Sequence, residues 1–342
     1  MTLFRTHIVV KAKDAEIIER IQLPKRKLLL QPEPTGRYWE TLDGTGLATL
    51  AQFTSSHLDY IPLKELLVEA ASESQAGDLL SIISAGCLLA LPSPTSGLKV
   101  HLIEFNEEHN ERYRSQPYNR FYGCPEDLGF GCQVAERVVK DEHLIYALEK
   151  LSLSLDLHSF TPHSASPTYG QIFDHFDEEH NVQTRCAFAI VIAFSGVEEL
   201  QLEIRSSQKK PRFTDPEKGV WNETVLNDIN KRLRKSNVSS DMTFNWIYRG
   251  EVTEVEKAFK PYFGVDAEWV NSHKSVRDKT LTFPEALHNF SYLRNFISSH
   301  RFNSLTKYIS PYDIFNSQML LRELLLRRLK LWERMLIRHL IE

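Results

Sequence analysis

The chain has 342 residues, 42% of them hydrophobic and 25% charged, and its formal net charge is −4 at pH 7. This composition is ordinary for a globular protein and excludes a disordered or fibrous chain, because it supplies enough apolar side chains for a core. The small negative charge excludes a uniformly basic nucleic-acid-binding surface but leaves local basic patches open. The length predicts about two domains.

The first residues contain no basic segment followed by an apolar one, so we expect no secretory signal. The longest uninterrupted apolar run, 186–194, is shorter than the roughly 20 residues that cross a bilayer. None of the cysteines stands in a C-x-x-C pair, which excludes the common zinc and redox motifs. We therefore expect a cytoplasmic protein with no membrane partner and no disulfide bonds.

Residues 1–155 predict an α+β domain made of short elements. Apolar residues alternate there between strand and helix periodicity, and turn-forming residues separate the segments. No motif in this region indicates a reaction, so we expect a sensor or regulatory domain that responds to a protein or a ligand. The predicted elements are strands at 4–12, 27–31 and 99–105, a hairpin at 36–55, helices at 62–72 and 132–155, and a segment at 77–91 that fits either a helix or a buried strand.

Residues 156–184 are rich in Ser, Pro, His and acidic residues, and we predict that they connect two domains. Within them, 174–180 reads Asp-His-Phe-Asp-Glu-Glu-His and contains side chains that bind metals. No helix or strand is predicted to hold these side chains, so we interpret the segment as a solvated acidic linker, with a metal-dependent site as the alternative. A cluster of Arg and Tyr at 112–122 also has two interpretations, an RNA-stacking surface or an ordered loop.

Residues 185–342 predict an all-α bundle of four or more packed helices. A nearly continuous apolar run at 186–205 is too long for a strand and predicts a buried helix. Thr282 and Glu285 form a capping-box pattern, in which each side chain bonds to the other residue's backbone N–H and a helix begins. The other predicted helices are an amphipathic one at 222–234 and a last one that begins near Pro311 and runs towards Ile341.

Several common catalytic motifs are missing from the sequence. It has no G-x-x-x-x-G-K-[ST] and no G-x-G-x-x-G, which excludes the usual phosphate-binding loops. It also has no H-E-x-x-H and no G-x-S-x-G, which excludes the familiar zinc protease and serine hydrolase motifs. No lysine follows a glutamate by two positions, so the E-x-K element of metal-dependent nucleases is absent as well.

The most informative motif is 294–300, which reads Arg-Asn-Phe-Ile-Ser-Ser-His. The permanently charged Arg294 can bind a phosphate and the negative charge that develops on it. His300 titrates near neutral pH and can give or take a proton, and Asn295 can orient either of them. The segment resembles the R-x(4–6)-H motif of the HEPN superfamily, which comprises helical-bundle ribonucleases and related binding domains.

The resemblance covers about 186–342 and implies a HEPN-like bundle that cleaves RNA without a metal or any other cofactor. It implies that Arg294 binds the scissile phosphate, that Asn295 orients its neighbours, and that His300 is the general acid or base. It also implies a homodimer in which two motifs face one cleft, a supporting acidic residue such as Glu198 or Glu199, and a biological role as a toxin or antiviral effector.

Two other pairs match the same spacing, Arg137 with His143 and Arg334 with His339, but an apolar residue follows each of these arginines. Only the motif at 294–300 follows a capped amphipathic helix. Its Arg and His lie about 120° apart on an ideal helix, with 100° per residue. They converge if the helix ends or tightens near Ser298, or if a second chain supplies the partner.

The charge distribution adds a predicted RNA-binding surface. Residues 292–342 contain nine basic and four acidic side chains, a local charge of +5 that leaves −9 for the rest. A basic strip beside the motif suits a phosphodiester backbone, although a solvated helix face gives the same pattern. The alternative function is a non-catalytic module that binds a nucleotide, RNA or a protein. The predicted RNA-binding residues are Arg301, Lys307, Arg322, Arg327 and Arg328, with Lys209, Lys210 and Arg212 as an extension.

Overall fold

A computed structural model describes residues 1–31, 62–90, 102–105, 127–159, 180–248, 277–298, 309 and 311–333. The chain divides into two compact units, with a boundary between Ile145 and Tyr146. The division into domains at 1–155 and 185–342 with a connection at 156–184 stays a prediction. The α+β class is confirmed, since helices and small antiparallel sheets are both present. No helix in the described ranges has the length and apolar character that a membrane span requires.

The first unit contains a four-stranded antiparallel sheet with the strand order β2-β3-β1-β4. The strands predicted at 4–12 and 27–31 are confirmed. Of the strand predicted at 99–105, the structure describes 102–105, which contain a strand of two residues. The hairpin predicted at 36–55 lies outside the described residues. The strands are β1 (Thr2–Lys11), β2 (Lys27–Gln31), β3 (Pro62–Ala70) and β4 (Ile103–Glu104).

The helix predicted at 62–72 is wrong, because this segment forms the strand β3. It lies between β1 and β2 in the sheet, and the consecutive residues Leu66, Leu67 and Val68 are all buried. A central strand that is covered on both faces loses the alternation of apolar and polar residues that identifies a strand. The spacing of its apolar residues therefore matched that of a helix.

A bulge interrupts β1 at Thr6 and His7, where the pairing with β3 jumps from Arg5 to Ile8. The Thr6 hydroxyl donates a hydrogen bond to the Leu66 carbonyl oxygen at 2.7 Å and accepts one from the Ile8 N–H at 3.1 Å. His7 is buried and has a φ of 58°, a left-handed conformation that non-glycine residues rarely adopt. The Thr6 hydroxyl thus takes over backbone bonds that the bulge removes from the sheet.

Within the described residues, three helices belong wholly to the first unit, and two of them approach each other at glycines. A Cβ atom added to Gly86 would lie 2.8 Å from the Gly131 carbonyl oxygen, and one added to Gly131 would lie 2.5 Å from Cys87 Sγ. These distances are shorter than van der Waals contact, so only glycine permits this packing. The helices are α1 (Ala12–Ile18), α2 (Glu73–Ala90), which is the segment left open at 77–91, and α3 (Leu128–Val138).

The next helix, α4 (Glu142–Leu157), crosses the boundary, and the helical stretch predicted at 132–155 is therefore two helices. The second unit also contains α5 (His180–Glu199), α6 (Glu223–Lys235), α7 (Phe283–Tyr292), a π-helix (Leu293–Ser298) and α8 (Pro311–Arg328). In the part of this unit that the structure describes, two antiparallel strand pairs accompany the helices. They are β5 (Phe213–Asp215) with β6 (Val220–Trp221), and β7 (Thr243–Tyr248) with β8 (Arg277–Thr282).

These strand pairs correct the prediction of an all-α second domain. In β7 the buried Phe244 and Trp246 alternate with the exposed Thr243 and Asn245, which is the two-residue period of a strand. On α8, the wholly buried Asn316 fixes this strand through its side-chain amide. Its Oδ1 accepts from the Ile247 N–H at 2.9 Å, and its Nδ2 donates to the Ile247 carbonyl oxygen at 2.8 Å.

The predicted starts of the helices are confirmed where the sequence contains capping residues. The Asn222 side chain accepts from the Thr224 N–H at the start of α6. At the start of α7, Glu285 Oε2 accepts from the Thr282 N–H at 2.7 Å and the Thr282 hydroxyl accepts from the Glu285 N–H at 3.5 Å. Both caps satisfy N–H groups that the first helical turn leaves without intrahelical partners.

The helix α8 ends at Arg328, earlier than the sequence predicts, and residues 332 and 333 are helical again. Lys330 adopts a φ of 58°, and the Leu331 N–H donates to the Leu326 carbonyl oxygen at 2.8 Å. This is the hydrogen bond of a Schellman motif, which usually contains glycine at the left-handed position. The sequence has lysine there, so it gave no signal for the end of α8 at Arg328.

The C-terminal ends of α6 and α8 cap each other. Arg328 Nη1 donates to the Lys235 carbonyl oxygen at 2.6 Å, and Asn237 Nδ2 donates to the Arg327 carbonyl oxygen at 2.9 Å. Each helix thus satisfies a terminal carbonyl group of the other. A cavity of about 270 Å³ adjoins these ends and is lined by Asn237, Met242, Arg327, Lys330, Trp332 and Glu333.

Candidate functional site

The predicted site begins where α7 continues into the π-helix. Leu293–Ser298 has π-helical geometry, and its first turn contains Arg294 and Asn295. The helix is therefore wider than an α-helix over Leu293–Ser298, whereas the sequence analysis considered a tighter turn near Ser298. Short π-helical segments within α-helices are rare and occur frequently at functional sites.

Three neighbouring side chains in this region form a hydrogen-bonded chain. Arg294 Nη1 donates to Asn295 Oδ1 at 2.7 Å, and Asn295 Nδ2 donates to the Ser291 hydroxyl oxygen at 3.3 Å. The side-chain oxygen of Asn295 therefore accepts from the arginine, and its side-chain nitrogen donates to the serine. This arrangement holds the Arg294 guanidinium on the helix surface, where its side chain is 35% exposed.

Arg294 also contacts two residues of α5. Its Nη2 lies 3.6 Å from Glu198 Oε1, and its Cζ lies 5.7 Å from the centroid of the Phe194 ring. The neighbouring Glu199 pairs instead with Lys150 of α4. Of the two glutamates considered as supporting residues, Glu198 is therefore the one that reaches the motif.

On the other side, the Ser291 hydroxyl connects this chain to Arg212 at the start of β5. Arg212 Nη2 donates to the Ser291 hydroxyl oxygen at 3.1 Å, and Arg212 Nη1 lies 2.7 Å from His288 Nδ1. We call the five residues Arg212, His288, Ser291, Asn295 and Arg294 the polar network. His288 and Ser291 were not singled out from the sequence, although their i, i+3, i+7 spacing with Asn295 indicates one helix face.

The contact with Arg212 sets the tautomer of His288. A guanidinium has donors and no acceptor, so His288 Nδ1 must accept and the ring proton must lie on Nε2. The imidazole in this arrangement is therefore neutral. Its ring is buried and packs against Phe213 and Trp221, with centroid distances of 5.0 and 6.4 Å.

The predicted RNA-binding arginines of α8 do not form an exposed strip. Arg322 is buried with 8% exposure, and this burial lowers its pKa to about 10. Arg327 donates to Glu323 at 2.8 Å and lies 4.9 Å from the Trp332 ring centroid, while Arg328 caps α6. The count of charges in the sequence could not show which of them the packing of α8 buries, and RNA binding by these arginines stays a prediction.

Several predicted site residues lie outside the described part of the chain. They include His300, Arg301 and Lys307, so their distances from Arg294 stay untested. The same holds for most of the acidic segment 174–180. Among the described residues, no group of three or more His, Cys, Asp or Glu side chains is placed to bind a metal.

The buried cysteines offer no nucleophile near neutral pH. Cys87, Cys132 and Cys186 are free thiols in the interior. Burial raises the pKa of Cys87 to about 12 and also raises the pKa of Cys132 and of Cys186. A thiol reacts as its thiolate, so these three residues serve packing.

Comparisons with known proteins do not assign the chain to a family. No protein-family model, no curated protein and no solved structure matches it. The resemblance to the HEPN superfamily therefore rests on the motif at 294–300 and on the helices that surround it.

Proposed function

We propose that the second unit is a HEPN-like endoribonuclease that cleaves RNA without a metal ion. The observation that supports this proposal most is the arrangement of Arg294, whose guanidinium is held by Asn295 and Glu198 and stays partly exposed. An oriented arginine is suited to bind a phosphate that gains negative charge during the reaction.

In the proposed reaction, the 2′-hydroxyl of RNA loses its proton to a base and its oxygen attacks the adjacent phosphorus. The bond from phosphorus to the 5′-oxygen breaks, and that oxygen takes up a proton from an acid. The products are a 2′,3′-cyclic phosphate and a free 5′-hydroxyl. Arg294 neutralises the charge on the phosphate, Asn295 keeps the guanidinium oriented, and His300 gives or takes the proton.

The proposal extends to the assembly and setting of the protein. Two copies would bring two motifs to one cleft, so we propose a homodimer, which light scattering at working concentration tests directly. The first unit would restrain or trigger the activity in response to a protein or ligand. We further propose that the protein acts in the cytoplasm as a toxin or antiviral effector, on the resemblance alone.

A cleavage assay in EDTA tests the proposed activity. We expect the wild-type protein to cleave single-stranded RNA with EDTA present, and His300→Ala to lose roughly 10²–10⁴-fold of the rate, since this is the usual contribution of a general acid or base. Arg234→Ala, at an exposed arginine of α6, serves as the control and should retain the wild-type rate. Equal rates for His300→Ala and wild type would reject the role of His300.

A non-catalytic RNA-binding module is the second candidate. It is favoured by the pairing of Arg294 with Glu198, because an arginine whose charge is already partly balanced is suited to a stable contact. The same variants discriminate between the candidates. If wild type and His300→Ala both fail to cleave a broad set of RNAs while binding them with equal affinity, the binding module is correct.

A further inference from the structure

The polar network joins two arginines that are distant in sequence. Arg212 and Arg294 both attach to one face of α7 and the π-helix, through the Ser291 hydroxyl and the Asn295 amide. The Ser291 oxygen accepts from both Arg212 Nη2 and Asn295 Nδ2, at 3.1 and 3.3 Å. The orientation of each guanidinium therefore depends on the same serine.

The groups between the two guanidiniums are all neutral. Ser291, Asn295 and the His288 imidazole accept hydrogen bonds without supplying a negative charge. Glu198 lies at the Arg294 end of this chain. Through Ser291 and Asn295, the network holds two guanidinium groups in fixed orientations on one helix face. With two side chains between them, the guanidiniums are arranged to meet two anionic groups rather than one.

The chain that leads into Arg212 adds further positive charge. Ser207 and Lys210 exchange backbone hydrogen bonds of 2.9 and 3.1 Å, and this turn presents the exposed Lys209. Lys210 and Arg212 follow directly. A row of cations that ends at a pair of oriented arginines fits a polyanion whose charges repeat along a chain.

We propose that Arg212 is a second phosphate-binding residue of the same site. Arg294 would contact one phosphate of single-stranded RNA and Arg212 a neighbouring one, with Ser291 as the residue that fixes both. This inference rests on the proposed function, because it takes the ligand of Arg294 to be RNA. It adds Arg212, the residue immediately before β5, to a site whose motif lies at 294–300.

The test measures binding without cleavage. The probe is a short single-stranded oligonucleotide with 2′-O-methyl groups, which lacks the attacking 2′-hydroxyl. Its affinity is measured by fluorescence anisotropy over a range of salt concentrations for wild type and Arg212→Met. We expect several-fold weaker binding and a salt slope reduced by about 0.7, which is the change for one lost phosphate contact on a single strand.

Two variants separate this role from a structural one. Arg212→Gln keeps an amide donor for Ser291 and removes the charge, so it should lose the same slope even if Arg212→Met fails to fold. Arg234→Met removes an exposed arginine of α6 and should keep the wild-type slope. If Arg212→Gln is folded and retains the wild-type affinity and slope, the inference is wrong.

The outcome is also distinct from that of the cleavage assay. Loss of the slope in Arg212→Gln together with no cleavage by wild type would support the second phosphate contact and reject the nuclease. Cleavage that depends on His300, with an unchanged slope in Arg212→Gln, would support the nuclease and reject the second contact.

Discussion

Two helices of the first unit meet backbone to backbone at glycines, whereas the close glycine Gly196 of the second unit meets the Leu321 side chain and buried polar side chains add hydrogen bonds between helices there. Gly86 of α2 and Gly131 of α3 bring backbone against backbone, with no room for a Cβ atom at either position. In the second unit, Gln318 of α8 donates to the carbonyl oxygens of Ser154 and His158, at 3.1 and 2.7 Å. The contact between α2 and α3 depends on shape alone. The contact between α8 and α4 depends on hydrogen-bond donors that meet their acceptors only when the two helices are correctly placed.

This difference predicts which substitutions each unit tolerates. A contact between backbones has no side chain that can move aside, so an added methyl group must displace a helix. A polar network can lose one member and leave the helices in place, but the remaining donors and acceptors lose their partners. We therefore expect overpacking to be the larger effect and loss of single hydrogen bonds the smaller one.

The largest effect is expected for Gly131→Ala. The new methyl group would lie 2.6 Å from the Ile83 carbonyl oxygen, and relief of this overlap should cost about 2–3 kcal/mol of unfolding free energy. Urea unfolding measures this loss. Gly77→Ala in α2 is the matched control, because its methyl group would lie 3.7 Å from Leu102. That change should stabilise the protein by about 0.5–1 kcal/mol, since alanine favours helix.

A smaller loss is expected for Ser291→Ala. It removes the acceptor shared by Arg212 and Asn295, which should cost about 1–2 kcal/mol. The variant should also bind single-stranded RNA less tightly, since both arginines lose a constraint. Thermal unfolding and anisotropy measure the two effects, and Ser240→Ala at an exposed position is the control. A wild-type affinity for Ser291→Ala would show that the serine does not orient the arginines.

The helix that presents the network should depend on its cap. Thr282→Ala removes the side-chain acceptor for the Glu285 N–H and should cost about 1 kcal/mol. Thr280→Ala, on the same strand at an exposed position, measures the cost of replacing threonine in a strand. The excess loss for Thr282→Ala in urea unfolding reports the cap, and equal losses for the two variants would refute it.

The smallest effect is expected for Asp14→Asn in α1, and it is stabilising at neutral pH. Asp14 is buried, and its burial raises the pKa of the carboxyl group above the ordinary value. The folded protein thus holds this proton more tightly than the unfolded chain, so stability falls as pH rises through the raised pKa. Asparagine removes that cost.

The gain from Asp14→Asn should shrink in acid, where Asp14 is protonated in both states. Urea unfolding at several pH values measures it. Asp78→Asn, at an exposed position of α2, should change stability little across the same range. A gain from Asp14→Asn that is independent of pH would contradict the explanation.

Local signals in the sequence predicted the elements that depend on neighbouring residues. The capping box at Thr282 and the amphipathic pattern of α6 identify helices because both act within a few residues. The strand β3 was not predictable in this way, because its burial comes from its central place in the sheet and from packing against α1 and α2. The end of α8 was not predictable either, because Lys330 has the left-handed conformation in which a helix end usually has glycine.

The candidate site was only partly readable from the sequence. Arg294 and Asn295 are adjacent and belong to a motif, so the sequence alone singles them out. Arg212 joins them across 79 residues through Ser291, a contact that only the folded chain creates. Conversely, Arg322 has the charge of an RNA-binding residue, but the packing of α8 buries it.

The reciprocal caps between α6 and α8 have a consequence for how the second unit opens. Arg328 and Asn237 each bind the last carbonyl groups of the other helix, so neither helix can fray from its C-terminal end without releasing its neighbour. Helix ends are normally the first parts of a protein to open. Here we expect the C-terminal ends of α6 and α8 to unfold locally together, so that the region beside Trp332 opens cooperatively.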